Sequence, residues 1–238
     1  MGRQQWWHKG SLTAVAVLVL TGCSPTGQGL TPEATDNKPS APAGAPGGEA
    51  TESGTLPGVP AAKQARTELA GLTVAPHGSM RGYSRAKFPH WAQQGEKCDT
   101  REKVLARDGT GVQRDVECRA ASGRWVSVYD DKTFTSASDL DIDHMVPLAN
   151  AWRSGAAGWT QEKRKAFAND LTHPQLLAVS AASNRSKGDQ GPDEWQPPSK
   201  PYWCTYARAW VSVKATYELS VTAAEKNTLT EMLGTCSS

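Results

Sequence analysis

The sequence predicts a mixed α+β domain, with short strands, more numerous helices and disulfide staples. Three observations carry this. Period-two alternation survives only in short stretches, Arg124–Tyr129 and Leu140–Asp143. Apolar residues at helical spacing dominate residues 202–217, through Tyr202, Tyr206, Trp210, Val213 and Tyr217. Cys98, Cys118, Cys204 and Cys236 form an even set in what reads as an exported chain. The 238 residues are 38% hydrophobic with nine Trp, enough for one sizeable core and too many for a wholly disordered chain. The 26 basic and 24 acidic residues leave a net charge of +2. With no strong basic field, nucleic-acid binding cannot be read from bulk charge, and function must come from a local site.

The chain opens as an export signal. Arg3 and Lys9 supply a positive start, and Leu12–Leu20 supplies an apolar run. That run is too short for a transmembrane helix of about 20 residues. Leu20-Thr21-Gly22-Cys23 resembles the lipobox of bacterial lipoproteins. That resemblance implies a signal peptide over residues 1–22, lipidation at Cys23 and tethering to the outer face of the cell membrane, since several buried acyl chains anchor stably. The alternative is an ordinary cleaved signal in which Cys23 is incidental. In residues 24–60, 22 of 37 are Gly, Pro, Ser or Thr, which predicts a flexible linker spanning roughly 30–35 Å. One domain, residues 61–238, is left to carry the function, and a monomer is expected.

Residues 62–70 have helical composition and stop at Gly71. Arg124–Tyr129 is a strand, and Asp130-Asp131-Lys132 turns it towards a second extended piece. Leu140–Asp143 is a strand with one apolar and one acidic face. Pro147 suits the first turn of a helix ending near Gly155, and Thr160–Asn169 is a charged helix. Leu176–Val179 is a buried strand, after which Ser180 caps a helix running to Lys187 and ended by Gly188. The aromatic stripe at 202–217 favours core packing over base stacking. Thr222-Ala223-Ala224-Glu225 is a capping box for the last helix. Four cysteines permit three connectivities. The local pairs Cys98–Cys118 and Cys204–Cys236 are the expectation, each loop worth ~3 kcal/mol on the chain-entropy model. Zinc ligation is disfavoured because no two cysteines stand two to four residues apart.

Chemistry concentrates between Asp141 and Lys187. Asp143 and Asn184 can offer oxygens to a Mg²⁺-like ion, His144 can accept a proton near neutral pH, and Arg185 and Lys187 can hold phosphate. Asp143-His144-Met145-Val146-Pro147-Leu148, then Leu176–Val179, then Asn184-Arg185-Ser186-Lys187-Gly188-Asp189 resembles the HNH, or ββα-metal, endonuclease motif. The nearer likeness is to secreted HNH proteins related to the C-terminal part of GmrSD-type restriction enzymes. It reaches upstream to Cys98-Asp99-Thr100-Arg101 and downstream through Tyr217, covering most of residues 80–235.

That resemblance implies a ββα-metal core with additional helices. It makes His144 the general base that activates water, with Asp143 and Asn184 as ligands of one divalent metal ion, Mg²⁺ in the first instance or else Mn²⁺ or another divalent ion. Products would carry a 5′-phosphate and a 3′-hydroxyl. Nine residues before Asn184, where the motif carries an Asn that orients the His, this chain has Gln175, with His173 two residues earlier. Either Gln175 substitutes for it or His173 takes a part. Arg101 is either a phosphate contact or a structural ion pair, and Asp141 is either a further ligand or a solvated carboxylate. The function implied is a metal-dependent endonuclease acting on DNA, or RNA, with low sequence specificity. The alternative is a noncatalytic surface lipoprotein that keeps the fold as a binding module.

Overall fold

Helices alternate with two separate antiparallel sheets along residues 56–237, the part of the chain that the computed structural model describes. The expected signal peptide, Cys23 and the expected linker up to residue 55 lie outside the described residues. Folded structure begins ahead of the boundary that composition indicates at residue 61. Leu56 is buried in the main core, and Arg208 Nε donates to the Pro60 carbonyl at 2.6 Å. A Gly/Pro-rich stretch hides this because one apolar side chain and one carbonyl suffice to dock it.

Helix α1 (Ala62–Gly71) buries Ala65 and Leu69. Helix α2 (Thr100–Asp108) is capped by Asp99, whose side chain accepts from Glu102 N, and it buries Val104 and Leu105. Strands β1 (Gly109–Arg114), β2 (Ala120–Ser127) and β3 (Lys132–Phe134) form an antiparallel sheet in that order. Sequence patterning finds the second half of β2 and misses β1, whose Gly-Thr-Gly-Val-Gln-Arg run has no apolar alternation. One of its glycines, Gly109, has another purpose, which it shares with Gly123 of β2. A Cβ on Gly109 or Gly123 would lie 2.5 or 2.6 Å from the Trp125 ring, so both positions must stay bare for that indole to fit. Trp125 Nε1 then donates to the Leu105 carbonyl at 2.8 Å, tying β2 to α2.

The second sheet is a two-stranded ribbon of β4 (Leu140–His144) and β5 (Leu176–Ser180), paired from Leu140↔Ser180 to His144↔Leu176. Between them run α3 (Leu148–Arg153) and α4 (Gln161–Ala168), and α5 (Ala181–Lys187) follows β5 directly. A lone two-stranded ribbon is marginal in water. Here both faces are covered. Leu140, Ile142, Leu176 and Ala178 pack with Val104, Leu105 and Trp125, while Leu177 and Val179 join the larger core.

Its edges are covered by side chains. Asp108 Oδ2 accepts from Ala178 N at 2.8 Å, and Arg107, ion-paired with Asp108, donates to the Leu176 carbonyl. Arg101 donates to the carbonyls of Ala137 at 2.9 Å and Leu140 at 3.4 Å. Gln175 brackets the Val146 peptide, accepting from its N–H at 3.1 Å and donating to its carbonyl at 3.0 Å. Side chains from α2 and the loop before β5 thus occupy hydrogen-bonding positions that a bare ribbon would leave open.

The aromatic stripe of the C-terminal part is core: Tyr206, Trp210 and Val213 of α6 (Trp203–Thr216) are buried. Helix α7 (Ala223–Gly234) opens with the capping box formed by Thr222 and Glu225. Glu225 also meets the buried Lys214 ammonium at 3.1 Å. The disulfides are the two local pairs, Cys98–Cys118 and Cys204–Cys236. Among the described residues, no helix is long and apolar enough to cross a membrane.

Asp108→Ala should strand the Ala178 N–H and release Arg107. A loss of about 1–3 kcal/mol in urea unfolding is expected, against a change within about 0.5 kcal/mol if the carboxylate were merely solvated.

Candidate active site

The period of two along β4 puts Asp141 and Asp143 on one face of the ribbon. Helix α5 crosses that face. It starts where Ser180 Oγ accepts from Ser183 N at 3.1 Å and stops at Gly188, which takes φ 55°. Asn184 and Lys187, three residues apart, therefore share the side of α5 that meets β4. Asn184 Nδ2 donates to Asp141 Oδ2 at 3.2 Å. Lys187 Nζ donates to Asp143 Oδ2 at 2.7 Å and to the carbonyls of His144 and Met145 at 2.8 and 3.0 Å. Tyr129 completes the cluster, its hydroxyl donating to the same Asp143 oxygen at 2.6 Å. Burial and the Asp143 charge push the Tyr129 hydroxyl far above its ordinary range, so it stays a donor.

His144 ends β4 on the other side of the strand. Its Nε2 lies 3.0 Å from the Ala168 carbonyl. A carbonyl only accepts, so this contact places the proton on Nε2 and leaves the lone pair on Nδ1. The Trp91 ring stacks on the imidazole at 6.0 Å between centroids. Only 4% of His144 is exposed. Burial pushes its pKa down to about 3, helped by the positive charges of Arg85, His90 and Lys187 and opposed by the Ala168 hydrogen bond. The ring is neutral across the ordinary pH range, but it is a weaker base than the near-neutral one that the sequence suggests, because burial disfavours its charged form.

Asp143, His144, Asn184 and Arg185 line one cleft of about 250 Å³, together with Tyr83 and Arg85. Four residues singled out in the sequence therefore come together, and Asp141 stands beside them, 3.7 Å from Arg185 Nε. Four others do not. Lys187 is completely buried with its three N–H groups directed at protein oxygens, so it is no phosphate ligand. Arg101 is spent on the carbonyls that start β4. Gln175 holds the Val146 backbone and makes no hydrogen bond to the imidazole; Ala168 and Trp91 position that ring instead. His173 is tied to Asp170 at 2.7 Å and does not line the cleft. Tyr83 and Arg85 are additions. The signal that could have found them is the run Met80-Arg81-Gly82-Tyr83-Ser84-Arg85-Ala86-Lys87, rich in cations around one aromatic.

Among the described residues, no group of three or more His, Cys, Asp and Glu side chains is arranged to hold a metal. The candidate ligand oxygens are those of Asp143, whose two hydrogen bonds both fall on Oδ2, and Asn184, whose amide nitrogen is turned to Asp141; the Asp189 carboxylate on the rim faces Arg153. Two hard oxygens suit an ion that keeps most of its water, such as Mg²⁺, better than a zinc ion seeking nitrogen and sulfur.

The model of the C-terminal domain of GmrSD restriction endonucleases matches residues 105–232. The chain belongs to that family. A relative from Arthroderma benhamiae, described as an uncharacterized secreted protein, is 59% identical over 182 residues, covering 76% of this chain and 89% of its own. No solved structure matches. The GmrSD C-terminal match takes in the ribbon, α5 and the four clustered residues, whereas Tyr83 and Arg85 lie ahead of it.

Lys187→Met should leave the Asp143 charge buried without its partner and cost about 3–5 kcal/mol in urea unfolding; a solvated phosphate contact would leave stability within about 0.5 kcal/mol. For His144 the folded pKa lies below the unfolded value, so the unfolded chain binds the extra proton. Its contribution to stability is complete above about pH 6.5 and is lost as pH falls towards 3. Thermal melts across that window should show a steeper acid loss for wild type than for His144→Gln.

Proposed function

We propose that this protein is an exported, metal-dependent endonuclease whose catalytic unit is the ββα module of β4, β5 and α5. The reading rests on one observation: a neutral, buried His144 with a fixed tautomer shares a small cleft with Asp143, Asn184 and the exposed Arg185. A phosphodiester entering the cleft meets the Arg185 guanidinium, whose fork can take two phosphate oxygens. The negative charge it brings raises the proton affinity of the His144 ring, and Nδ1 takes the proton of the attacking water. The Ala168 carbonyl, held against Nε2–H, keeps the ring oriented and steadies the imidazolium that forms. The Trp91 ring stacks beside the imidazole, 6.0 Å between centroids. Oxygens of Asp143 and Asn184 would hold a divalent ion, which supplies Lewis-acid stabilisation of the departing oxygen.

Phosphate contacts position a polynucleotide without reading its bases, so DNA, or RNA, would be cut with little sequence preference. Export is supported by the paired cysteines and by the description of the Arthroderma benhamiae relative as secreted. A lipid anchor at Cys23 belongs to the same proposal.

The second reading is a noncatalytic binding module. One feature favours it: Asp143 Oδ2 is already engaged by Tyr129 and Lys187, as in a purely structural cluster. Incubating the purified chain, disulfides intact, with supercoiled plasmid and Mg²⁺ or Mn²⁺ separates the two. The expected result is nicking that EDTA abolishes and that falls about 10²-fold or more in His144→Ala, the scale of a missing general base. Intact plasmid, single-stranded DNA and RNA with every divalent ion tried would leave the binding module as the better reading.

A further inference from the structure

The run Met80–Lys87, ahead of the family match, supplies one wall of the cleft, and its three cations have different fates. Lys87 Nζ sits 5.2 Å over the Trp152 ring. Arg81 does not line the cleft. Arg85 does; it is exposed, and its side chain makes no hydrogen bond or ion pair with any described residue. An exposed arginine without a partner is common on open surface, but this one is held firmly. It opens a single 3₁₀ turn, Arg85–Lys87, whose ends are fixed by Lys87 N donating to the Ser84 carbonyl and Phe88 N to the Arg85 carbonyl, both at 3.0 Å. The next residue, Phe88, is fully buried against Trp152 and Phe167. Arg164 Nε adds a bond to the Lys87 carbonyl at 3.0 Å. The Arg85 side chain therefore projects from an anchored turn into the space that holds His144.

Arg185, on α5, is the second guanidinium of the cleft; its side chain is 77% exposed and its Nε is 3.7 Å from Asp141. Asp189, a carboxylate on the same rim, is offset by Arg153 at 3.9 Å. With Lys187 and Arg101 spent on the protein itself, the cleft takes its exposed positive charge from two arginines carried by separate segments.

We infer that Arg85 and Arg185 together form the phosphate-binding pair of the cleft, gripping the backbone of a polynucleotide so that a phosphodiester lies against His144. This rests on the nuclease reading for its choice of ligand, but it is tested by binding alone. Anisotropy of a fluorescent single-stranded oligonucleotide is measured in EDTA, with wild type, Arg85→Ala, Arg85→Lys, Arg185→Ala and, as a control on β2, Arg124→Ala. Arg85→Ala and Arg185→Ala should each weaken binding about tenfold and flatten the log–log salt dependence by about 0.7 for each phosphate no longer neutralised. Arg85→Lys should keep the slope and lower the affinity only in part, because it retains the charge without the fork. Arg124→Ala should match wild type. Because Arg85 has no side-chain partner among the described residues, its variants should melt with wild type, which checks that any weakening is one of binding.

Wild-type affinity and salt slope in Arg85→Ala would overturn the inference, as would a wild-type chain that does not bind. The outcomes separate from those for catalysis. Arg85-dependent binding without plasmid cleavage would keep the phosphate pair and remove the enzyme. Cleavage that is indifferent to Arg85→Ala would do the reverse.

Discussion

The site depends on one buried ammonium. Lys187 joins the last residues of β4 to the end of α5 through three acceptors, and two of them are backbone carbonyls just past Asp143. Such a pair adds little net stability, because desolvating both charges offsets most of their attraction. What it supplies is position. An ammonium with three N–H groups tolerates only placements in which the Asp143 carboxylate and the carbonyls of His144 and Met145 converge, so the backbone around the imidazole is fixed from inside. Burial lowers the Lys187 pKa while Asp143 raises it, and the net shift is downward. The Trp210 ring lies 5.7 Å from this ammonium and 5.8 Å from that of Lys214, so one indole is near two buried cations.

Much of the fold is legible in the sequence because local chemistry and tertiary environment agree. The acidic-and-apolar alternation of Leu140–Asp143, the Ser180 cap, the Gly188 stop and the Thr222–Glu225 box each belong to the element they foretell. Strand β1 and helix α2 escape patterning. Strand β1 is held by its ladder, by room for Trp125 and by one packed side chain, Val112, and the polar face of α2 is turned to the ribbon's edge, where arginine and aspartate replace a neighbouring strand.

The clustering of Asp143, His144, Asn184 and Arg185 is legible from type and order. Residue type does not give direction, and the residues turned away from the cleft show why. Lys187 and Arg185 both neighbour Asn184, yet a helix turns about 100° per residue, so Lys187 returns to the face that meets β4 while Arg185 points outward. Arg101 and Gln175 carry groups suited to phosphate or imidazole, and backbone carbonyls and an N–H take them first. Arg85 is missed for the opposite reason: the cation-rich run around Tyr83 is visible, but it lies far along the chain from His144 and only the fold brings the two to one cleft.

Glu225 does two things at once: it closes the box that starts α7 and meets the ammonium of Lys214 inside the core. The cap of α7 and the neutralisation of a cation inside the core therefore share one side chain, so a change that loosens the start of α7 also reaches Lys214.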